Sequence, residues 1–213
     1  IIFMISFLIM FVGRYSLKSL GAMILIGLVS LGLFYATVTK FPNISNRVGT
    51  WKARIESFTD KSSEGNYQVN HAKTAIARGG LWGKGPGKSV QKYFLPQSSS
   101  DFIFAVIVEE YGVVGGFFVI VLYLLLLFRI LRIARKSDDD FAMLMTIGLG
   151  FSIVSQAFIN MSVAVNLLPV TGQTLPLISA GGSSVWMTCA AIGLILSISN
   201  SIVSPSESLG YEK

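Results

Sequence analysis

The sequence predicts an all-α integral membrane protein, a polytopic bundle of transmembrane helices with a large extracytoplasmic loop that carries short interfacial helices. Three observations favour this class. Only 13% of the 213 residues are charged, whereas a soluble domain carries about 25%. Several uncharged runs reach the length of roughly 20 residues that a helix needs to cross a bilayer. No stretch shows the strict alternation of apolar and polar residues that indicates a β-strand.

Five membrane segments are predicted in order, at about residues 1–13, 20–38, 111–128, 142–164 and 184–203. The first opens on Ile-Ile-Phe without a basic flank, so we interpret it as the end of a span from a longer protein and not as a signal peptide. Arg14 and Lys18 lie near the first turn, and four basic residues lie between positions 129 and 136. The positive-inside rule places both groups in the cytoplasm, so that loops 40–100 and 165–183 face outward.

The predicted outward loop 40–100 is strongly basic, with ten Lys or Arg residues against three acids. Such a loop suits an anionic partner, either lipid headgroups or a phosphorylated substrate. Residues 66–78 predict a short amphipathic helix that is terminated by two glycines. Its apolar face comprises Val69, Ala72, Ala75 and Ile76. Residues 43–58 are compatible with a second helix of this kind, lying in the membrane interface.

A glycine-rich segment at residues 79–89 invites comparison with a nucleotide-binding loop. The strict motif needs a glycine at position 82, where this chain has Trp82, and no strand precedes the segment. Its glycines still let backbone N–H groups approach an anion, with Lys84, Lys88 and Lys92 nearby. The alternative is a flexible turn with solvated lysines. The single histidine, His71, has no metal-ligand spacing around it, so no metal site is predicted.

Three acidic residues mark the start of the apolar segment that follows residue 100. Asp101 comes after three serines at this boundary, where a carboxylate costs free energy unless it is solvated, paired or used. Asp101 suits a helix N-cap, a functional carboxylate, or both, since a capping carboxylate stays ionised. Glu109 and Glu110 either face a polar cavity shared with Asp101 or lie at the membrane surface, before a span that starts near residue 111.

Two groups of motifs carry a likeness to a known family. The first group comprises Leu81-Trp82-Gly83-Lys84-Gly85, Ser89-Val90-Gln91-Lys92, Leu95-Pro96, Asp101-Phe102-Ile103-Phe104-Ala105 and Glu109-Glu110-x-Gly112. The second begins with Asn160-Met161 and continues from Leu168-Pro169 to Gly181-Gly182-Ser183-Ser184. In their order the chain resembles the SEDS family (shape, elongation, division and sporulation), and it looks closer to the cell-division members than to the elongation members. It departs from the family pattern at Asn166, where a glycine is usual, and at Ala180, where a tyrosine is usual.

The resemblance implies a peptidoglycan glycosyltransferase that polymerises lipid II, the undecaprenyl-diphosphate-linked disaccharide peptide. The enzyme would be a multi-pass protein of the bacterial cytoplasmic (inner) membrane with its catalytic loop outside. Residues 1–213 would be the C-terminal part of its one polytopic membrane domain, and this part alone is expected to be inactive. By the same likeness Asp101 is the catalytic base of an inverting transfer. The candidate substrate-binding residues are Lys73, Arg78, Lys84, Lys88, Gln91, Lys92, Glu109, Glu110 and Gln173.

The family likeness also implies partners, namely a class B penicillin-binding transpeptidase and other division proteins, and no nucleic acid. It implies no cofactor and leaves a requirement for a divalent cation open. Two alternatives come from other classes, a lipid II transporter (flippase) and a non-catalytic division scaffold. A transporter needs polar groups on its membrane faces, and the apolar region before Gln173 offers few amides. If the chain is an enzyme, we expect Asp101 to be open to the outer leaflet and to lie beside basic residues.

Overall fold

The computed structural model describes residues 2–40, 67–95 and 98–208, without the side chains of residues 34–40 and 203–208. All regular structure in these ranges is helical, which confirms the predicted all-α class. A short 3-10 turn spans Gln91–Tyr93. The α-helices are α1 (Ile2–Val12), α2 (Leu17–Lys40), α3 (Tyr67–Gly79), α4 (Ile103–Lys136), α5 (Asp140–Ala164) and α6 (Gly182–Ser208).

Within the described ranges, three helices are long and apolar enough to cross a membrane, which makes this a multi-pass membrane protein. They are α4, α5 and the Gly182–Ile202 part of α6. The predicted spans 142–164 and 184–203 lie within α5 and α6. The predicted span 111–128 lies within α4, but α4 begins eight residues earlier, at Ile103. The membrane boundaries themselves stay predictions.

The longest helix, α4, is interrupted at Gly112, whose φ of 71° and ψ of −175° lie far from helical values. Residues 103–111 and 113–136 are therefore two helical pieces joined at one residue. A left-handed φ favours glycine, because a Cβ atom there collides with the neighbouring backbone. The sequence indicated a polar interruption near Glu109 and Glu110, but it did not predict this break in the backbone.

Two acidic residues precede helices, and they differ in whether they act as N-caps. Asp139 caps α5, since its carboxylate accepts hydrogen bonds from the backbone N–H groups of Phe141 (3.2 Å) and Ala142 (3.3 Å). The prediction that Asp101 caps α4 is wrong. The N-cap of α4 is Phe102, and no side chain makes a capping bond there. Phe102 is fully buried, so the start of α4 is held by packing and not by a capping bond. The Asp101 carboxylate takes no part in a cap.

The core lies where α4 packs against α5 on one side and against the short helix α3 on the other. The predicted amphipathic helix at residues 66–78 is confirmed as α3. Its predicted apolar face is buried at Val69, Ala72 and Ala75, with Ile76 packed against the same core. The helix ends at Gly79, where a Cβ atom would overlap the carbonyl oxygen of Val108 in α4. The second predicted interfacial helix, at residues 43–58, lies outside the described residues.

Candidate functional site

Polar segments converge at the end of the bundle where α4 begins, α5 ends and α6 begins. Asp101 lies here and is 8% exposed. It is therefore more buried than we expected from the sequence. Its Oδ1 atom accepts a hydrogen bond from the hydroxyl of Ser100 (2.8 Å). Its backbone carbonyl accepts one from the Asn160 side chain (2.8 Å). Asp101 is therefore held through both its side chain and its backbone.

The loop between α5 and α6 covers Asp101 from one side. Gly172 has a φ of 71°, and a Cβ atom at this position would lie 3.7 Å from Asp101 Oδ2. The neighbouring candidate Gln173 is half-buried, and its backbone carbonyl accepts a second hydrogen bond from Asn160 (2.6 Å). The loop that carries Gln173 thus lies beside Asp101, but the residue that faces the carboxylate is Gly172, which presents no side chain.

Two further bonds join this loop to the turn before Asp101. The hydroxyl of Ser179 donates to the carbonyl of Ser100 (2.6 Å) and accepts from the N–H of Leu175 (2.7 Å). The N–H of Ala180 donates to the carbonyl of Ser99 (2.9 Å). Ala180 takes part through its backbone N–H, so this bond does not depend on which side chain stands at position 180.

Asn166, the second departure from the family pattern, is also accommodated by the backbone. It has a φ of 60°, in the left-handed region that glycine adopts most easily and that asparagine tolerates better than most residues. Asn166 therefore has a backbone conformation that a glycine could also adopt.

The second polar cluster surrounds Glu109, about two helical turns from Asp101 along α4. Glu109 is fully buried. Its carboxylate accepts hydrogen bonds from the Ser89 hydroxyl (2.6 Å) and the Gln91 N–H (3.2 Å), and it forms an ion pair with Lys84 Nζ (3.1 Å). Three candidate substrate-binding residues thus come together, but they bind one another. Glu110 is partly exposed and accepts a longer bond from the Ser89 N–H (3.4 Å).

Gln91 is occupied on two sides. Besides its backbone bond to Glu109, its side-chain oxygen lies 2.6 Å from His71 Nδ1. A bond of this kind requires that Nδ1 carries the proton, because the amide oxygen is an acceptor. His71 therefore links α3 to the turn at Gln91–Tyr93. Within the described ranges no group of three or more potential metal ligands is assembled, around His71 or elsewhere.

The remaining basic candidates differ in how free they are. Lys73, Arg78 and Lys88 are exposed. Lys92 is partly buried, and its ammonium group donates to the Gly87 carbonyl (3.1 Å) and lies 5.1 Å from the centroid of the Tyr93 ring. None of these residues pairs with Asp101 in the described part of the chain. The basic surroundings that we expected for Asp101 are therefore not formed by these ranges alone.

The residues that hold the site together had no such role predicted from the sequence. Asn160 and Gln156 extend from α5 to the 171–181 loop, Gln156 by donating to the Thr174 carbonyl (3.1 Å). Tyr123 of α4 donates to the Pro176 carbonyl. The available signal was the presence of amides in an otherwise apolar helix, since a buried amide must find hydrogen-bond partners.

Comparison with known proteins places the chain in a family. The sequence profile of the FtsW, RodA and SpoVE group, described as "Cell cycle protein", matches residues 1–203. "Probable peptidoglycan glycosyltransferase FtsW" of Bacillus subtilis (strain 168) is 44% identical over 151 residues, which cover 69% of this chain and 38% of that protein. "Stage V sporulation protein E" of the same organism is 36% identical over 177 residues, which cover 83% of this chain and 47% of that protein.

A solved structure supports the same grouping. The structure described as "Structural coordination of polymerization and crosslinking by a peptidoglycan synthase complex" contains a similar chain with a TM-score of 0.67 and 27% identity. The match covers 92% of this chain and 52% of that one. The chain thus spans about half the length of this neighbour, and less than half of the two Bacillus relatives. It belongs to the FtsW/RodA/SpoVE family of cell cycle proteins, the SEDS family that its motifs predict, and within that family it is FtsW-like.

Proposed function

We propose that this chain is part of a peptidoglycan glycosyltransferase that polymerises lipid II during cell division, with Asp101 as the general base. The name of the Bacillus FtsW relative supports the reaction class. The observation that carries the residue assignment is the difference between the two carboxylate oxygens of Asp101. Oδ1 is engaged by Ser100, whereas Oδ2 has no hydrogen-bond partner among the described residues and faces Gly172.

This asymmetry suits a general base. One oxygen fixes the orientation of the carboxylate, and the other remains available to a substrate hydroxyl. Gly172 has no side chain that could engage Oδ2, so this oxygen is left for a substrate hydroxyl. A base must come within hydrogen-bond reach of the proton that it removes. The low exposure of Asp101 also keeps bulk water away, which strengthens electrostatic interactions at the carboxylate.

In the proposed reaction, the 4-hydroxyl of the acceptor GlcNAc attacks the anomeric carbon of the donor MurNAc. The hydroxyl proton passes to Asp101 Oδ2, and undecaprenyl diphosphate leaves with the bonding electron pair. Attack opposite to the leaving group converts the α-linked donor into a β1,4 bond. General base catalysis of this kind contributes about 10²–10⁴-fold to the rate.

The departing diphosphate gathers negative charge, which fixed cations stabilise. The exposed residues Lys73, Arg78 and Lys88 are the better candidates for this role, because Lys84 is already paired with Glu109. We assign Lys84, Gln91 and Glu109 to the support of the loop that carries Lys88. Glu110, Lys92 and Gln173 stay candidates for contacts with the substrate.

The proposal places the reaction at the outer face of the bacterial cytoplasmic membrane, with a class B penicillin-binding transpeptidase and other division proteins as partners. Arg14 and Lys18, which lie before and at the start of α2, and the basic end of α4 support this orientation by the positive-inside rule. The similar solved chain, described as part of a complex that coordinates polymerisation with crosslinking, supports a crosslinking partner.

The test is an assay of the full-length protein, with its partner, on labelled lipid II in vesicles. We expect glycan polymer from the native protein and at least about 10²-fold less from Asp101→Asn, with unchanged thermal unfolding. Full polymerisation by Asp101→Asn would overturn the assignment of the base. Translocated lipid without polymer would favour a transporter, and neither product would favour a scaffold.

A further inference from the structure

Asn160 is a buried amide near the end of α5. It is 1% exposed, and both hydrogens of its amide group are used. Nδ2 donates to the backbone carbonyl of Asp101 (2.8 Å) and to the backbone carbonyl of Gln173 (2.6 Å). These two acceptors also fix the orientation of the amide, because a flipped group would place its oxygen against two carbonyl oxygens.

The bond to Asp101 replaces one that the helix does not make. The N–H groups of Ala105 and Val106 both donate to the carbonyl of Phe102, at 3.0 and 3.4 Å. Among the described residues, the Asp101 carbonyl is bonded by the Asn160 side chain instead. The backbone of Asp101 is therefore positioned by α5 and not by the first turn of its own helix.

The bond to Gln173 acts on the opposite wall. Gln173 follows Gly172, the residue that faces Asp101 Oδ2, directly in the chain. One amide group thus connects the backbone that carries the carboxylate to the backbone that bounds its free oxygen. If Asn160 is removed, the buried carbonyl of Asp101 and the partly buried carbonyl of Gln173 lose a partner, and the two walls lose their common anchor.

We propose that Asn160 is a positioning residue for the transfer reaction, one that sets the distance between Asp101 Oδ2 and the Gly172 wall without touching substrate. This inference rests on the proposed function of Asp101. Displacement of a reacting group by about 1 Å can cost roughly 10²-fold in rate. The role should therefore be visible in kcat, since substrate binding depends on other residues.

Gln156 provides a matched control. It lies one turn before Asn160 on α5 and donates to the Thr174 carbonyl (3.1 Å) in the same loop. In the described ranges it makes no bond to the segment that carries Asp101. The variants Asn160→Ala and Gln156→Ala therefore both loosen the loop, but Asn160→Ala alone releases Asp101.

The experiment measures kcat and KM for lipid II polymerisation by the full-length protein with its partner, together with thermal unfolding. For Asn160→Ala we expect kcat to fall by about 10²-fold, with KM changed by less than threefold. For Gln156→Ala we expect a fall in kcat of less than tenfold. Equal losses in the two variants, or a rise in KM alone for Asn160→Ala, would overturn the inference.

Two additional variants keep the outcome decisive. If Asn160→Ala does not fold, Asn160→Ser replaces it, because serine has one donor and can bond only one of the two walls. A preserved kcat in this variant, with a lowered unfolding temperature, would show a merely structural role and would overturn the inference. Asp101→Asn separates the two proposals. If Asp101→Asn is inactive and Asn160→Ala behaves like Gln156→Ala, the positioning role is wrong and the proposed function stands. When Asp101→Asn is active, the proposed function fails, and the positioning role fails with it.

Discussion

Lys84 contacts Glu109 through both its backbone and its side chain. Its N–H donates to the Glu109 carbonyl (3.0 Å), and its Nζ lies 3.1 Å from the Glu109 carboxylate. In an unbroken helix this carbonyl would accept from the N–H of Val113, which here donates to Gly80 instead (2.9 Å). The 79–85 segment therefore satisfies the backbone groups that the break at Gly112 leaves free, as buried backbone polar groups require.

The first prediction concerns the buried carboxylate of this contact. Glu109→Ala should destabilise the protein by about 3 kcal/mol. This is the lower end of the range for breaking a buried ion pair, and we choose it because the partner Lys84 is a third exposed and partly screened by solvent. The loss arises because Ser89, Gln91 and Lys84 all lose their shared acceptor. The measurement is thermal or denaturant unfolding of the full-length protein in detergent.

The adjacent Glu110 is the control for this first variant. It accepts one long bond and is partly exposed. Glu110→Ala should therefore cost less than about 1 kcal/mol, the size of an ordinary net hydrogen bond. Equal destabilisation by the two variants would show that the Glu109 network does not hold the loop.

The second prediction concerns the helix break. Gly112→Ala should prevent the 79–85 segment from docking, because the new Cβ atom would overlap the Leu81 carbonyl oxygen. Gly87 is a matched control: its φ of 75° is close to the 71° of Gly112, but a Cβ atom there meets open space. Gly87→Ala should cost only the strain of a left-handed residue, about 1–2 kcal/mol.

Proteolysis of the folded protein between residues 79 and 92 measures this docking. We expect cleavage to become faster in Gly112→Ala and to change little in Gly87→Ala. A protected segment in Gly112→Ala would contradict the interlocked arrangement of the loop and the broken helix.

The third prediction concerns the anchor of the 171–181 loop on α4. Tyr123 is buried and donates its hydroxyl hydrogen to the Pro176 carbonyl. Tyr123→Phe keeps the ring and leaves the carbonyl without this partner, so it should cost about 1–3 kcal/mol of unfolding free energy. Tyr111→Phe removes a hydroxyl from a residue that is 51% exposed, and it should be nearly neutral. A neutral Tyr123→Phe would contradict the anchoring role.

Local patterns predicted the parts of this structure that depend on neighbouring residues. The apolar spacing of Val69, Ala72 and Ala75 defined α3, because residues three or four apart lie on one face of a helix. The family likeness directed attention to Asp101 and to Gln173. Helix content and the candidate site were accessible for these reasons.

Long-range hydrogen bonds could not be predicted in the same way. The partners of Glu109 lie 18 to 25 residues earlier in the chain, and Asn160 bonds a carbonyl 59 residues away. Periodicity shows which residues face a core, but it does not show which buried polar groups pair across it. The family likeness made Glu109 a candidate for substrate binding, whereas its carboxylate is engaged by the 84–91 loop.

The fourth prediction separates loop support from substrate contact among the lysines. Lys88 is exposed, and Lys84 is paired with Glu109. If Lys88 contacts the diphosphate, Lys88→Ala should raise KM for lipid II about tenfold, the loss expected for one charge-assisted hydrogen bond, without lowering the unfolding temperature. Lys84→Ala should lower the unfolding temperature, because it removes one partner of the fully buried Glu109 carboxylate.

The two variants remove the same charge four residues apart, so general electrostatic attraction would change KM equally in both. That equal change would remove Lys88 from the proposed site, whereas a selective rise in KM for Lys88→Ala would assign it to the diphosphate.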